Sequence, residues 1–305
     1  MDIAELRKQA RPVSRLIDIE ELRRQARPVS RLIDIAELAA KHAGGPGHDQ
    51  KSHGNWARGY GAKVRDSSPG WKSAFDAQNV CTIEKNALKH GMTVEEYKAA
   101  IEAEMTAFTG SAEVCIRCKP EVIEGIISDG RYRTQFETAT SGGLRDPATR
   151  AFVEKEIFGY PKNLDPEERP VYGYLDRGIE GVECYYGTTT IHLNDSVRSR
   201  TTYCYGDTLD NTNAAKSASL APTPLATPSY RAGCYWASGG RELDPLGIRS
   251  QADFTKHGVY YAEVQIHGGV GLADIGRVSF ARGRLPSQKV IQQLVDLGIP
   301  VDVRP

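Results

Sequence analysis

AEVQIHGG, Ala262 to Gly269, decides how the fold is read. On an extended chain successive side chains point to opposite sides, so Ala262, Val264 and Ile266 share one face and Glu263, Gln265 and His267 the other. One face belongs against a core. The opposite face lines up an acid, an amide and an imidazole, which makes it either a wetted sheet surface or the floor of a cleft. Gly268 and Gly269 then turn the chain.

Working outward, the same reading gives strands in AEVCIRC (Ala112 to Cys118), RPVYGYL (Arg169 to Leu175), CYYGTTTIHL (Cys184 to Leu193), SRTTYCYGD (Ser199 to Asp207) and GRVSF (Gly276 to Phe280). Helices are expected on either side of Gly91, the second one capped by Thr93 with Glu96 three residues on. Further helices are expected in KPEVIEGIISDG, around DPATRAFVEKEIFG and in KVIQQLVDL. Many strands with few long helices predict an α+β domain over residues 74–305, with mixed or antiparallel sheets and flanking helices.

The 305 residues are 40% hydrophobic and 26% charged, enough for a packed core, and the formal charge is zero. A balanced charge exerts no global pull on nucleic acid or an anionic membrane. No apolar run approaches a membrane span, and the charged amino terminus lacks a signal core, so a cytoplasmic protein is expected. Six cysteines in this length are read as reduced and mostly buried. Cys115 and Cys118 form a CxxC with no second pair at zinc-site spacing, so no metal is expected.

The first residues differ in kind. DIAELRKQARPVSRLI (Asp2 to Ile17) recurs as DIEELRRQARPVSRLI (Asp18 to Ile33), and a third copy opens at Asp34. Each copy begins with Asp and places Glu three residues later, a helix start that Pro12 and Pro28 interrupt in the first two. Residues 1–42 therefore read as an extended helical-repeat arm, and the glycine-rich residues 43–73 as a flexible linker.

RYRTQFETATSGG, Arg131 to Gly143, reads as a second polar ladder. Arg131, Arg133, Gln135 and Glu137 alternate with Tyr132 and Phe136, and the hydroxyls of Thr138, Thr140 and Ser141 follow at a glycine turn. Two polar ladders facing one cleft supply guanidinium groups for a diphosphate and hydroxyls to brace an acid. Arg117 on its strand, and Arg169 with Tyr172 and Tyr174, extend that inventory toward an anionic, ring-bearing ligand.

These motifs carry a resemblance. GRYRTQFETATSGG, EIFGYPKNLDPEERPVYGYL, SRTTYCYGD and YYAEVQIHGG occur in this order in a family of bacterial and phage proteins of unestablished activity, over roughly Ala112 to Phe280. The linker stretch GPGHDQKSHG resembles proteins of tailed-phage head regions. More distantly, a strand bearing Arg, a hydroxyl-rich strand and a late strand bearing Glu resemble the ADP-ribosyltransferase superfamily. That resemblance implies NAD as substrate and Glu263 as the acid that touches the ribose, with Gln265 beside it. It implies a diphosphate-binding Arg, for which Arg117, Arg133 and Arg169 compete. Bracing hydroxyls are Thr138, Thr140 and Ser141, or else Thr201 and Thr202. Many such enzymes carry Gln or Glu two positions before the acid; this chain has Tyr261, so the acceptor, protein or nucleic acid, is not read from that position.

Two other functions compete. His192 and His267, with Arg198 or Arg200 on the phosphate, are the parts of a metal-independent ribonuclease. Alternatively the chain is a structural phage-head component whose residues 1–42 dock on capsid or portal.

Overall fold

A computed structural model describes residues 80–139, 147–176, 186–205, 207–209, 223–225, 236–237, 241–242, 244, 246–247 and 261–304. The repeat arm, the linker, Thr140 and Ser141 lie outside the described residues.

The expected helix starts hold. Residues 80–89 are helical, Gly91 takes a positive φ of 67°, and α1 (Val94–Ser111) opens on Thr93 with Glu96 reaching back to the Thr93 amide at 2.8 Å. Then follow β1 (Glu113–Cys118), α2 (Val122–Asp129), β2 (Arg131–Tyr132), the single-turn α3 (Gln135–Thr138), α4 (Pro147–Phe158), β3 (Val171–Asp176), β4 (Thr189–Leu193) and β5 (Thr201–Tyr205). Beyond these lie β6 (Thr223–Pro224), β7 (Trp236–Ala237), β8 (Arg241–Glu242), β9 (Ala262–Ile266), β10 (Val270–Gly271), β11 (Ile275–Ala281), α5 (Gln288–Asp296) and β12 (Val301–Arg304). The protein is α+β, as its strand-rich pattern predicts.

An eight-stranded sheet in the order β12-β11-β4-β1-β3-β9-β5-β6 forms its centre. Every pairing in it is antiparallel except β11 with β12. β12 was not expected from the sequence: it is only four residues long, following Gly298 and Pro300, too few for alternation to show. One face of the sheet is apolar. Val114 and Ile116 of β1, Ile191 of β4, Val264 and Ile266 of β9 and Val278 and Phe280 of β11 pack there against Ile101, Met105 and Phe108 of α1, Ile123 and Ile126 of α2, and Val290 and Leu294 of α5.

The opposite face is polar. Cross-strand register carries Glu263 of β9 beside Tyr174 of β3, Tyr174 beside Cys115 of β1, and Cys115 beside His192 of β4. The spacing of β1 and β3 depends on Gly173. A Cβ there meets the Cys115 carbonyl oxygen at 2.2 Å and Val264 Cγ2 at 3.2 Å. Backbone cannot step aside as a side-chain tip can, so Gly173→Ala is expected to destabilise by about 1–3 kcal/mol. A lowered urea midpoint at unchanged m-value is the check.

The expected strand ladder through Arg131–Glu137 is corrected. Only Arg131 and Tyr132 form a strand, paired with β10; Gln135 to Thr138 are helical. Thr134 and Glu137 stand at capping-box spacing, and the Glu137 carboxylate accepts from the Thr134 amide at 2.8 Å. That local signal outweighs the alternation.

Candidate functional site

Helix α4 builds a site over the polar face at β3 and β9. Arg150, Val153, Glu154 and Ile157 recur at helical spacing as one buried stripe, exposed by 4%, 1%, 0% and 2%. Two of its four members are charged, and each has its charge answered. Arg169, just before β3, donates to Glu154 Oε2 at 2.7 Å, to the carbonyls of Pro161 and Lys162, and lies 4.1 Å over the Phe136 ring. The Tyr172 hydroxyl donates to Glu154 Oε1 at 3.1 Å. Burial pushes Glu154 up to about 7, while Arg169, then Arg150 and Tyr172, favour its anion; with a direct guanidinium at 2.7 Å the pair is ionic near neutrality.

Arg150 lies 3.8 Å over the Tyr172 ring and donates to Thr208 Oγ1 at 3.0 Å, with Asp207 at 3.8 Å. Thr208 passes the contact on: its hydroxyl donates to Glu263 Oε1 at 2.5 Å and its amide at 3.3 Å. Gln265 Nε2 donates to the same oxygen at 2.8 Å. Three donors thus grip Oε1, and among the described residues nothing donates to Oε2. Burial and then the Asp207 charge raise the Glu263 carboxyl to about 8, against Arg150, Thr208 and Gln265.

The network continues along β9. Thr202 Oγ1 lies 2.8 Å from Gln265 Oε1 and 2.9 Å from His267 Nε2. One hydroxyl proton cannot serve both, so with Thr202 donating to Gln265, the Nε2–H of His267 donates to Thr202. Tyr160 OH meets Nδ1 at 2.9 Å and Phe158 packs edge-on at 4.9 Å. Glu263, Gln265 and His267 share a face as expected, exposed by only 1%, 0% and 0%. The wetted-surface reading is therefore overturned.

The other expected site residues divide. Arg117 lies on the same sheet face as Glu263, with β3 between their strands and its guanidinium 5.8 Å over the Tyr174 ring. Tyr172 is in the site; Arg169 is there too, committed to Glu154. Thr202 braces Gln265, whereas Thr201 donates to the Val197 carbonyl and Thr138 to the Thr134 carbonyl. Arg133 is corrected away from this site: it pairs with Asp129 at 2.5 Å, in an open cleft of about 380 Å³ lined by Asp129, Arg131, Arg133 and Glu137. Each guanidinium there already faces a carboxylate, Arg131 meeting Glu137 through both terminal nitrogens. The two ladders therefore do not face one cleft. His192 lies on β4 and His267 just past the end of β9, strands separated by β1 and β3 and on the order of 14 Å apart, and the two share no phosphate-sized site. Arg198 donates to the carbonyls of Thr109 and Ala112, and Arg200 to those of His267 and Gly269.

Sequence reasoning missed Arg150, Glu154, Asp207 and Thr208. The signal for the first two was present: two charges inside the i, i+3, i+4, i+7 stripe of TRAFVEKEIF, where only apolar residues belong unless paired.

The fold and site define an α+β protein with a mainly antiparallel sheet and a buried carboxylate network beneath one helix. The pattern of a family described as a protein of unknown function (DUF3626) matches residues 115–223. The Gene 2 protein of Mycobacterium phage D29 is 30% identical over 226 residues, covering 68% of this chain and 77% of that protein. The Gene 2 protein of Mycobacterium phage L5 is 29% identical over 222 residues, covering 68% and 78%. The chain belongs to the family of these phage Gene 2 proteins. No helix among the described residues is long and apolar enough to cross a membrane.

Proposed function

We propose that this chain is a phage-encoded ADP-ribosyltransferase, or NAD glycohydrolase, with Glu263 as its catalytic carboxylate. One observation carries the reading: Oε1 of Glu263 is held by three donors while Oε2 receives none from the described residues. A carboxylate fixed through one oxygen can turn the other toward a developing cation. Arg117 on the same face two strands away supplies a guanidinium for the diphosphate, with Tyr174 between them.

The chemistry follows from the charge. The bond between ribose C1′ and the nicotinamide nitrogen breaks, and its electron pair leaves with nicotinamide, which becomes neutral. C1′ then carries oxocarbenium character that the Glu263 carboxylate stabilises. Water or an acceptor side chain bonds to C1′ and gives up a proton to solvent. Glu263 must be ionised for this, so kcat/KM for NAD is expected to rise with pH toward about 8, where burial and Asp207 have set the carboxyl of the free enzyme.

The test is incubation of the full chain with adenine-labelled NAD and host lysate, following free nicotinamide and labelled acceptor together. Glu263→Gln is expected to lower nicotinamide release at least about 100-fold while leaving the pH 6 unfolding midpoint in place. Equal release by both proteins, or none by the wild type, would remove this reading.

A further inference from the structure

The polar face carries a second cluster, on the strands two and three places from β9, that the Glu263 chemistry does not use. Cys115 of β1 and His192 of β4 are direct cross-strand partners, and Glu113 precedes Cys115 by two residues on the same face. One ligand atom from each lies within 4.8 Å of the other two. We propose that Glu113, Cys115 and His192 bind a divalent transition-metal ion of the zinc class. The site stands whether or not NAD is the substrate.

Geometry carries the proposal. His192 Nδ1 is 3.4 Å from Cys115 Sγ and 2.7 Å from Glu113 Oε2. A tetrahedral ion with bonds of about 2.0 Å to nitrogen and 2.3 Å to sulfur separates those two ligands by roughly 3.5 Å. The imidazole is also oriented from behind, its Nε2 lying 2.9 Å from Ser279 Oγ. A ligating histidine is held in this way, its second nitrogen bonded to a neighbouring group that fixes the ring. Thiolate, imidazole and carboxylate together suit zinc, and three protein ligands leave its fourth position for water. Glu113 and His192 line a cleft of about 430 Å³ together with Asn194, Arg198 and Arg277, which provides the entry path and the water.

Arg277 is the competing cation. Its Nη2 lies 2.8 Å from Glu113 Oε1 and 2.6 Å from Oε2, and its Nη1 is 3.2 Å from Asp302. Glu113 has two oxygens, so Oε1 keeps Arg277 while Oε2 turns to the ion, and Asp302 remains as the arginine's second anchor.

The protons balance without a redox step. In the metal-free site the short Nδ1 to Oε2 contact places the neutral ring's proton on Nδ1, leaving Ser279 to donate to Nε2. With the ion on Nδ1 that proton resides on Nε2 and is donated to Ser279 Oγ. The Cys115 S–H bond breaks as the metal–sulfur bond forms, so one proton leaves per ion bound. Cys118 takes no part: three residues along a strand reverse the face, and Cys118 is buried in the apolar core.

Cobalt(II) titration of the reduced full chain is the test. A one-to-one complex with thiolate-to-cobalt absorption in the near ultraviolet is expected, bleached by zinc. Cys115→Ser should abolish that band, Ser279→Ala should weaken binding about 10–100-fold, and Glu113→Gln should weaken it at least about tenfold while keeping the band. Glu113 has 48% of its side chain exposed, so the Glu113→Gln affinity decides the matter if Cys115→Ser does not fold. No thiolate band from the wild type, a band that survives Cys115→Ser, or unchanged affinity in Glu113→Gln would each overturn the site.

Discussion

Arg169→Met is expected to cost about 3–5 kcal/mol of folding stability, the loss that follows when one member of a buried ion pair is removed and the other stays charged. Glu154 has 0% of its side chain exposed and Arg169 3%. Without the guanidinium, Glu154 keeps among the described residues a single hydroxyl donor, Tyr172, and must take up a proton or draw in water. The change also frees the Pro161 and Lys162 carbonyls that Arg169 holds between α4 and β3. Glu154→Leu combined with Arg169→Met should recover most of the loss, because matched apolar groups replace a buried pair at little net cost. Urea unfolding of both single variants and the double yields the coupling energy. Single variants that each lose under 1 kcal/mol, with no coupling, would mean that water already reaches the pair.

That ion pair also shows where the sequence was legible. Arg169 stands out in the sequence as a cation beside an aromatic strand, and both it and Tyr172 reach Glu154. Its partner does not stand out, since Glu154 lies fifteen residues earlier on a helix, and nothing local tells which of several acids will meet which arginine. The elements themselves were plain wherever pattern and punctuation agreed: Thr93 with Glu96 for α1, Gly130 at φ 73° closing α2, alternation for β1 and β9. They failed where two local signals conflicted, at Thr134–Glu137, and where the segment was too short to show a period, at β12.

The site was legible by face and illegible by depth. Period-two spacing assigned Glu263, Gln265 and His267 to one side of β9, but whether that side is wet depends on what covers it. The cover is α4, and its buried stripe contains Arg150 and Glu154, residues that look like ordinary surface charges when counted singly. Cys115 posed the converse problem. A strand places the two thiols of its CxxC on opposite faces, and the groups that meet Cys115 come from β4 and from two residues upstream.

The depth of Glu263 has a thermodynamic consequence that its chemistry does not require. A carboxyl raised to about 8 in the folded protein, and to about 4.5 in an ordinary setting, holds a proton that the unfolded chain has already released. Between those values the native state binds more protons than the unfolded one, so stability falls as pH rises, by up to about 1.4 kcal/mol per pH unit for one group. The wild type is therefore expected to be most stable in mild acid and to lose several kcal/mol by pH 9, on the order of the limiting slope carried across the window. Glu263→Gln imitates the protonated carboxyl: its carbonyl accepts from Thr208 and Gln265, and its amide occupies the Oε2 position, which receives no bond from the described residues. Urea midpoints taken from pH 5 to 9 should then cross, the variant matching or trailing the wild type in acid and exceeding it in alkali. Asp207→Asn removes the charge that adds most to burial in raising Glu263, and should end the decline at lower pH and shrink its total. Parallel profiles for wild type and Glu263→Gln would show that the acid is ionised and solvated in the free protein, and the protonated network beneath α4 would have to be abandoned.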